Sequence, residues 1–158
     1  MGEFDVGIVL SWWKTLENDR GGRAQLRRTH NLTEVVFVEA YHRLYEQMEN
    51  VDREKLALVA GVCSHIKEYR PGKLAEQMSK GDDKAKVSGL RFRRLLAIKD
   101  KDELLYAMIR IIRLLGGSVD VAELARTVYW WNENTRKQLA YDYYSKAKAV
   151  KEGGKENE

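Results

Sequence analysis

The chain has 158 residues, 44% of them hydrophobic, with 28 Lys and Arg against 24 Asp and Glu for a formal charge of +4. That length supports about one domain with one core, and no apolar run is long enough to span a bilayer. A lone cysteine, Cys63, rules out an internal disulfide and fits a reducing compartment, while the opening "MGEFDVGIVL", acidic and without a basic stretch, does not read as a secretory signal, so a cytoplasmic location is expected.

Apolar residues recur at three and four, with one proline and no clustered run of period two, so the reading is all-α. A compact bundle of about six to eight helices without a sheet is expected, as a single domain over residues 1–150. The first helix runs from about Phe4 to Glu17 and buries Ile8, Trp12 and Leu16. "NDRGG" breaks it, and a short basic helix follows from Arg23 to Arg28. Asn31, with Glu34 three residues on, caps a helix through Val35, Val38, Tyr41, Leu44 and Tyr45. Asp52 caps the next, which carries Leu56, Val59, Val62 and Ile66 to the stop at "YRPG".

Residues 71–88, polar and glycine-containing, read as a long mobile connection with one helical turn around Leu74–Met78, a place where the chain could divide into two lobes. Ser88 caps the segment "GLRFRRLL". Asp100 and Glu103 form a capping pair before "ELLYAMIRIIRLLGG", which ends on glycine. Asp120 opens a helix towards "YWW", a last helix holds "TRKQLAYDYYSKA", and residues 151–158 form a frayed tail.

The basic residues are unevenly placed. "RGGRAQLRR" holds no acid, bases outnumber acids from Lys67 to Lys101, and acids gather between Glu39 and Glu54 and at the tail. On a helical wheel Phe92, Leu95 and Leu96 share one side, with Arg91 and Arg94 on one flank and Arg93 on the other. In the next helix Leu104, Leu105, Met108, Ile111, Ile112 and Leu115 make the apolar face, and Glu103, Tyr106, Arg110 and Arg113 the opposite stripe. Arg23 and Arg27, four apart, share a face. Each basic stripe could be an ordinary solvated face. Three of them, rich in arginine, also suit phosphate, because the guanidinium fork meets two oxygens at once.

Catalytic constellations are missing. Glu39 and His42 have the Glu-x-x-His spacing of di-iron bundles, with Glu46 one turn on, but no second copy exists. Cys63 and His65 lack a companion pair for zinc, and "GGSVD" lacks the Lys-Ser/Thr of a phosphate-binding loop. No cofactor, metal or enzymatic activity is expected. "IIRLLGGSVDVAELARTVYWW" resembles a helix-turn-helix, yet Val121, Ala122, Glu123 and Leu124 at the head of its second helix make a poor lead into a major groove, although Arg126 follows. A duplex-binding regulator and a helical protein adaptor remain the alternatives to a phosphate-gripping protein.

Taken in order, Trp12-Trp13-Lys14-Thr15-Leu16, "GRAQLRR", "AYHRL", "RFRRLL", "LLYAMIRIIRLL", "VDVAELARTVYWW" and "RKQLAYDYY" resemble the CasB family, the small subunit of the type I-E CRISPR surveillance complex Cascade. The likeness runs from about Trp12 to Tyr144. The chain departs from the family's usual pattern at Gly89, where an acid is common, and at Leu139, where a tryptophan is common. The resemblance implies a non-catalytic helical subunit, present as two copies along the crRNA-bearing backbone beside other Cascade subunits. It would hold target DNA paired to crRNA and guide the displaced strand, with no membrane association. On that view Arg23, Arg27, Arg28, Arg91, Arg93, Arg94, Arg110 and Arg113 are backbone clamps, and Lys99 and Lys101 add long-range attraction.

Overall fold

The structure is a computed structural model that describes residues 4–156, with side chains described as far as Ser145. Asp5 caps α1 (Val6–Thr15), whose inner face carries Val9, Trp12 and Trp13. The expected long first helix tightens at its end into a 3-10 turn, Leu16–Asn18. Asp19 then caps α2 (Arg20–Arg27) by accepting the Gly22 N–H. A side chain at Gly22 would meet the Asp19 carboxyl at 2.3 Å, so the cap needs glycine there.

The single helix expected after Asn31 is two: α3 (Leu32–Val36) and α4 (Glu39–Tyr45). The break falls at Val38, which is extended, and leaves Phe37 78% exposed. His42 Nε2 donates to the Val36 carbonyl freed there, at 2.6 Å. Its neighbour Glu39 lies beside Arg43, so these members of the Glu-x-x-His spacing have local partners.

α5 (Arg53–Cys63) is buried continuously from Leu56 to Cys63, the pattern of a helix apolar all round and enclosed by others. Around it pack α2, α3 and α4, together with α8 (Lys101–Leu114) and α9 (Val121–Tyr129). Cys63 is fully buried, and burial pushes its thiol up to about 12.

One feature departs from the sheet-free expectation. Glu68–Tyr69 (β1) and Ser118–Val119 (β2) pair in parallel, Glu68 opposite Ser118 and Tyr69 opposite Val119. Ten α-helices, one 3-10 turn and this two-residue bridge are the regular elements of the described residues, more helices than expected because the segment after Asn31 divides in two and the expected connection contains a helix.

Residues 71–88, the expected mobile connection, contain α6 (Leu74–Ser79), with Leu74, Ala75, Met78 and Ser79 buried. Beyond it Val87 donates its N–H to the Met78 carbonyl and accepts the Tyr143 hydroxyl at 2.7 Å. Residues 80–86 form a loop tied at both ends. α7 (Gly89–Leu96) follows, and α10 (Glu133–Glu156) packs on α6. One buried cluster runs through the molecule from Val9 to Tyr143, so the segment joins parts of a common core. α10 takes in the first part of the expected tail, and residues 157–158 lie outside the described residues.

The helix-turn-helix reading meets a steric obstacle. Gly116 and Gly117, at φ 76° and 82°, close α8 by returning their N–H groups to Arg113 and Ile112, a left-handed helix stop that glycine makes without strain. The chain then enters β2, and α9 lays Val121, Leu124 and Ala125 into the core against α1 and α5. Glu123 is half-buried, and that burial raises its carboxyl. The face that would have to enter a groove is therefore the packed one.

Candidate nucleic-acid interface

Three elements carry the basic residues of interest, and in α7 and α8 the interactions that fix the helix leave guanidinium groups outside. α7 starts on Ser88, whose hydroxyl accepts the Arg91 N–H. Phe92 and Leu95 are buried, and Phe92 stacks on Tyr143 with ring centroids 4.1 Å apart. At the other end of α7 the Leu96 carbonyl accepts from Arg136 at 3.1 Å, and the Ile98 carbonyl accepts from Trp131 at 2.8 Å. Arg91 and Arg94 are left exposed on one flank.

α8 is held at both ends as well. Asp100 caps it through the Glu103 N–H, and Asp102 in its first turn accepts the Leu32 N–H at 2.9 Å, tying it to the start of α3. Its inner face, Leu104, Leu105, Met108, Ile111 and Ile112, is buried, and Glu103, Tyr106, Arg110 and Arg113 are all exposed.

α2 supplies the third group by a different route. Arg27 Nε donates to the Ser64 carbonyl at 2.7 Å, and Arg23 Nη2 to the Ile66 carbonyl at 2.8 Å. The Ile66 carbonyl also accepts from the Trp13 indole. Both arginines thus sit against the chain just past the C-terminus of α5, where the helix dipole favours cations. Burial, and then the neighbouring Arg23 guanidinium, lower the Arg27 group below its ordinary value.

The arginines of the three elements converge. One cleft, of about 330 Å³, has Arg91, Arg94, Arg110, Glu103 and Tyr106 at its rim and Leu95, Ile98, Ala107, Ile111 and Leu114 below. A second, of about 350 Å³, is lined by Arg27, Arg28, Arg110 and Arg113 with His30, His65, Thr29, Ile109 and Tyr106. Tyr106 and Arg110 belong to both, so the clefts adjoin along the outer stripe of α8. Six guanidinium groups from α7, α8 and the end of α2 therefore follow one path.

Carboxylates are scarce along it. Glu103 is the one acid lining either cleft among the described residues, and none of the six arginines forms an ion pair with a carboxylate there. His65 stands at the floor of the second cleft, where burial, then Arg27 and Arg113, push its imidazole down to about 4. Its Nε2 and the Arg27 Nη2 are buried and without hydrogen-bond partners.

The other four expected site residues, two clamps and two lysines, fall elsewhere. Arg23 is committed to the Ile66 carbonyl and lines neither cleft. Arg93 leaves α7 on its far flank, towards Tyr143. Lys99 and Lys101 line a separate, smaller cleft of about 120 Å³ with Lys55, Tyr129 and Trp131, where Lys101 Nζ lies 3.4 Å from a Glu54 oxygen. Tyr106, His30 and His65 are the residues that the choice of cations alone passes over. The signal for Tyr106 was its place one turn before Arg110; His65 gave none, since it joins the path only through the packing of α5 on α2.

Among the described residues no helix is long and apolar enough to cross a membrane. Comparison with curated proteins gave no significant match. Among solved structures, the chain is similar to CasB from Thermus thermophilus, with a TM-score of 0.73 at 21% identity over 90% of this chain and 99% of that one. It is also similar to a chain in the crystal structure of E. coli Cascade bound to a PAM-containing dsDNA target, with a TM-score of 0.70 at 21% identity over 93% of this chain and 99% of that one. At such identity the likeness is one of fold. The family model described as "CRISPR-associated protein Cse2" matches residues 22–144, well over half of the sequence. The chain belongs to the CRISPR-associated Cse2 family.

Proposed function

We propose that this chain is a non-catalytic subunit of a Cascade-type, crRNA-guided complex, and that its arginine path holds a sugar-phosphate backbone. The observation that carries the reading is the convergence of Arg27, Arg28, Arg91, Arg94, Arg110 and Arg113 on two adjoining clefts without carboxylate partners. Guanidinium groups so placed meet phosphate oxygens without first breaking an internal ion pair. They read charge and spacing rather than base identity.

That property suits a complex in which pairing with crRNA supplies the sequence recognition. Exchange of a DNA duplex for an RNA–DNA hybrid is close to balanced in base-pair energy, so backbone contacts can tip it. The related chain in E. coli Cascade sits in an assembly bound to a PAM-containing dsDNA target. By likeness to it, this chain's partners are crRNA, target DNA, other Cascade subunits and a second copy of itself. The buried thiol of Cys63, pushed up to about 12, and a His65 imidazole kept neutral by burial and then by Arg27 and Arg113 fit a binding role.

The test is Arg91→Ala combined with Arg94→Ala. Both side chains are exposed and neither supports the core, so helical content by circular dichroism is expected to stay the same while affinity for a 20- to 30-nucleotide strand (about that length suffices to cross both clefts) falls roughly tenfold. A variant that unfolds, or one that binds as the parent does, contradicts the assignment.

A further inference from the structure

The two clefts differ in chemistry. The second gathers four arginines and two imidazoles, with Thr29, Tyr106 and Ile109 and no carboxylate, a lining that suits phosphate. The first is floored by Leu95, Ile98, Ala107, Ile111 and Leu114, and its rim includes the carboxylate of Glu103. A phosphate in that cleft would lie against aliphatic carbon and near a like charge, which costs desolvation and repulsion together. A flat, neutral group with apolar faces and polar edges meets neither objection.

Tyr106 forms the wall between the clefts. It is 46% exposed, and among the described residues it makes no hydrogen bond, ion pair or ring contact. The other exposed aromatics nearby in sequence type are differently placed. Tyr144 is engaged edge-on with Phe92 and Tyr143, Trp130 packs with Tyr129 and Lys55, and Tyr141 lines a shallow cleft made by α10 alone. Tyr106 is the unpartnered exposed ring that lies on the arginine path. By helical rise it stands ~6 Å along α8 from Arg110, with Arg91 and Arg94 facing it from α7.

We infer that the cleft between α7 and α8 seats an unstacked nucleobase against the Tyr106 ring, so that the path selects single-stranded over duplex nucleic acid. The inference rests on the reading of the arginine path as a backbone track and adds what that track leaves open, the strandedness of its ligand. A duplex keeps its bases stacked inside and presents only phosphates to the arginines. A single strand can turn one base into the cleft while its flanking phosphates meet Arg91 and Arg94 on one side and Arg110 and Arg113 on the other. Stacking of this kind is tolerant of sequence because each base has a π-face.

The experiment uses the full-length chain at low salt with three probes: a dT oligonucleotide, the same strand with abasic sites in place of bases, and a duplex of equal length. Wild type is expected to prefer the dT strand to both others. Tyr106→Ala should weaken dT binding by roughly five- to a hundredfold and leave the abasic strand and the duplex within about twofold, and Tyr106→Phe should restore the preference. A 2-aminopurine base in the strand should be quenched on binding to wild type and to Tyr106→Phe but not to Tyr106→Ala. Equal weakening of all three probes by Tyr106→Ala, or no preference of wild type for dT over the abasic strand, overturns the base seat while leaving the track in place. Loss of all salt-dependent binding in wild type instead overturns the track itself, and the base seat with it.

Discussion

Two regions of the molecule hold arginine beside an open cleft and use it in opposite ways. At the α1–α4 edge, Arg43 meets the Asp19 carboxylate in a direct ion pair and lies 3.9 Å from Glu39, across a cleft that Trp12, Thr15, Asn18 and Gln47 complete. The Gly22 N–H and then Arg43 hold the Asp19 carboxyl below its ordinary value. Charge there is closed within the chain. Along α7, α8 and the end of α2, six arginines line two adjoining clefts, five of them exposed and Arg27 partly buried, with one acid, Glu103, among them. Like charges gathered without counterions repel and work against the folded state. The first region is explained by what it does for this chain alone; the second makes physical sense when the missing negative charge comes from outside.

The largest effect that separates the two regions is one of pH at His65. Its folded value of about 4 lies below the ordinary 6.5 because of burial, Arg27 and Arg113, with Arg28, His30 and Arg110 lining the same cleft. The unfolded chain therefore binds the proton more readily. Stability is complete above about pH 6.5 and falls as the pH drops towards 4, by on the order of 2–3 kcal/mol from this group. Denaturant melts of wild type and His65→Gln across that window should show a steeper fall for wild type. Parallel curves would mean that burial and the two arginines do not hold His65 neutral.

Next come the two arginines behind α5. Arg27→Ala leaves the Ser64 carbonyl without its donor and should cost about 1–3 kcal/mol, together with a loss of strand affinity because the residue also lines the second cleft. Arg23→Ala should cost about 1 kcal/mol, since the Trp13 indole still serves the Ile66 carbonyl, and leave strand affinity unchanged. Chemical denaturation paired with a binding titration reads both. A loss of affinity in Arg23→Ala equal to that in Arg27→Ala would blur the boundary drawn between support and path.

The smallest effect belongs to Lys101. Its partly exposed contact with Glu54 predicts a change of under about 1 kcal/mol in Lys101→Ala, and strand affinity should move less than in the Arg91/Arg94 pair. A larger loss of affinity would extend the path across the α7–α8 connection to the lysine cleft.

The parts of the fold that were legible in the sequence are those fixed by neighbours. Asn31, Asp52, Ser88, Asp100 and Asp120 each cap the helix expected of them by accepting the N–H three residues on. The outer stripe of α8 follows from the spacing of its apolar residues. What stayed hidden depends on distant partners. The β1–β2 bridge joins segments about fifty residues apart with strands too short to have a period. The division of α3 from α4 turns on a carbonyl taken up by His42. Arg23 and Arg27 look alike on a wheel, and their separate fates come from which carbonyl past α5 each reaches and how much of each guanidinium remains for the cleft. Of the candidate site, the cations of α7 and α8 were visible as faces; their meeting with α2 was not, because it is made by packing.

The central claim is that the clustered arginines are vacant for phosphate, and the salt dependence of strand binding by the full-length chain tests it most directly. With about four phosphates engaged, a log–log plot of affinity against salt should fall with a slope near −3, a loss of roughly tenfold to a hundredfold between about 50 and 200 mM. A slope indistinguishable from zero would contradict the account.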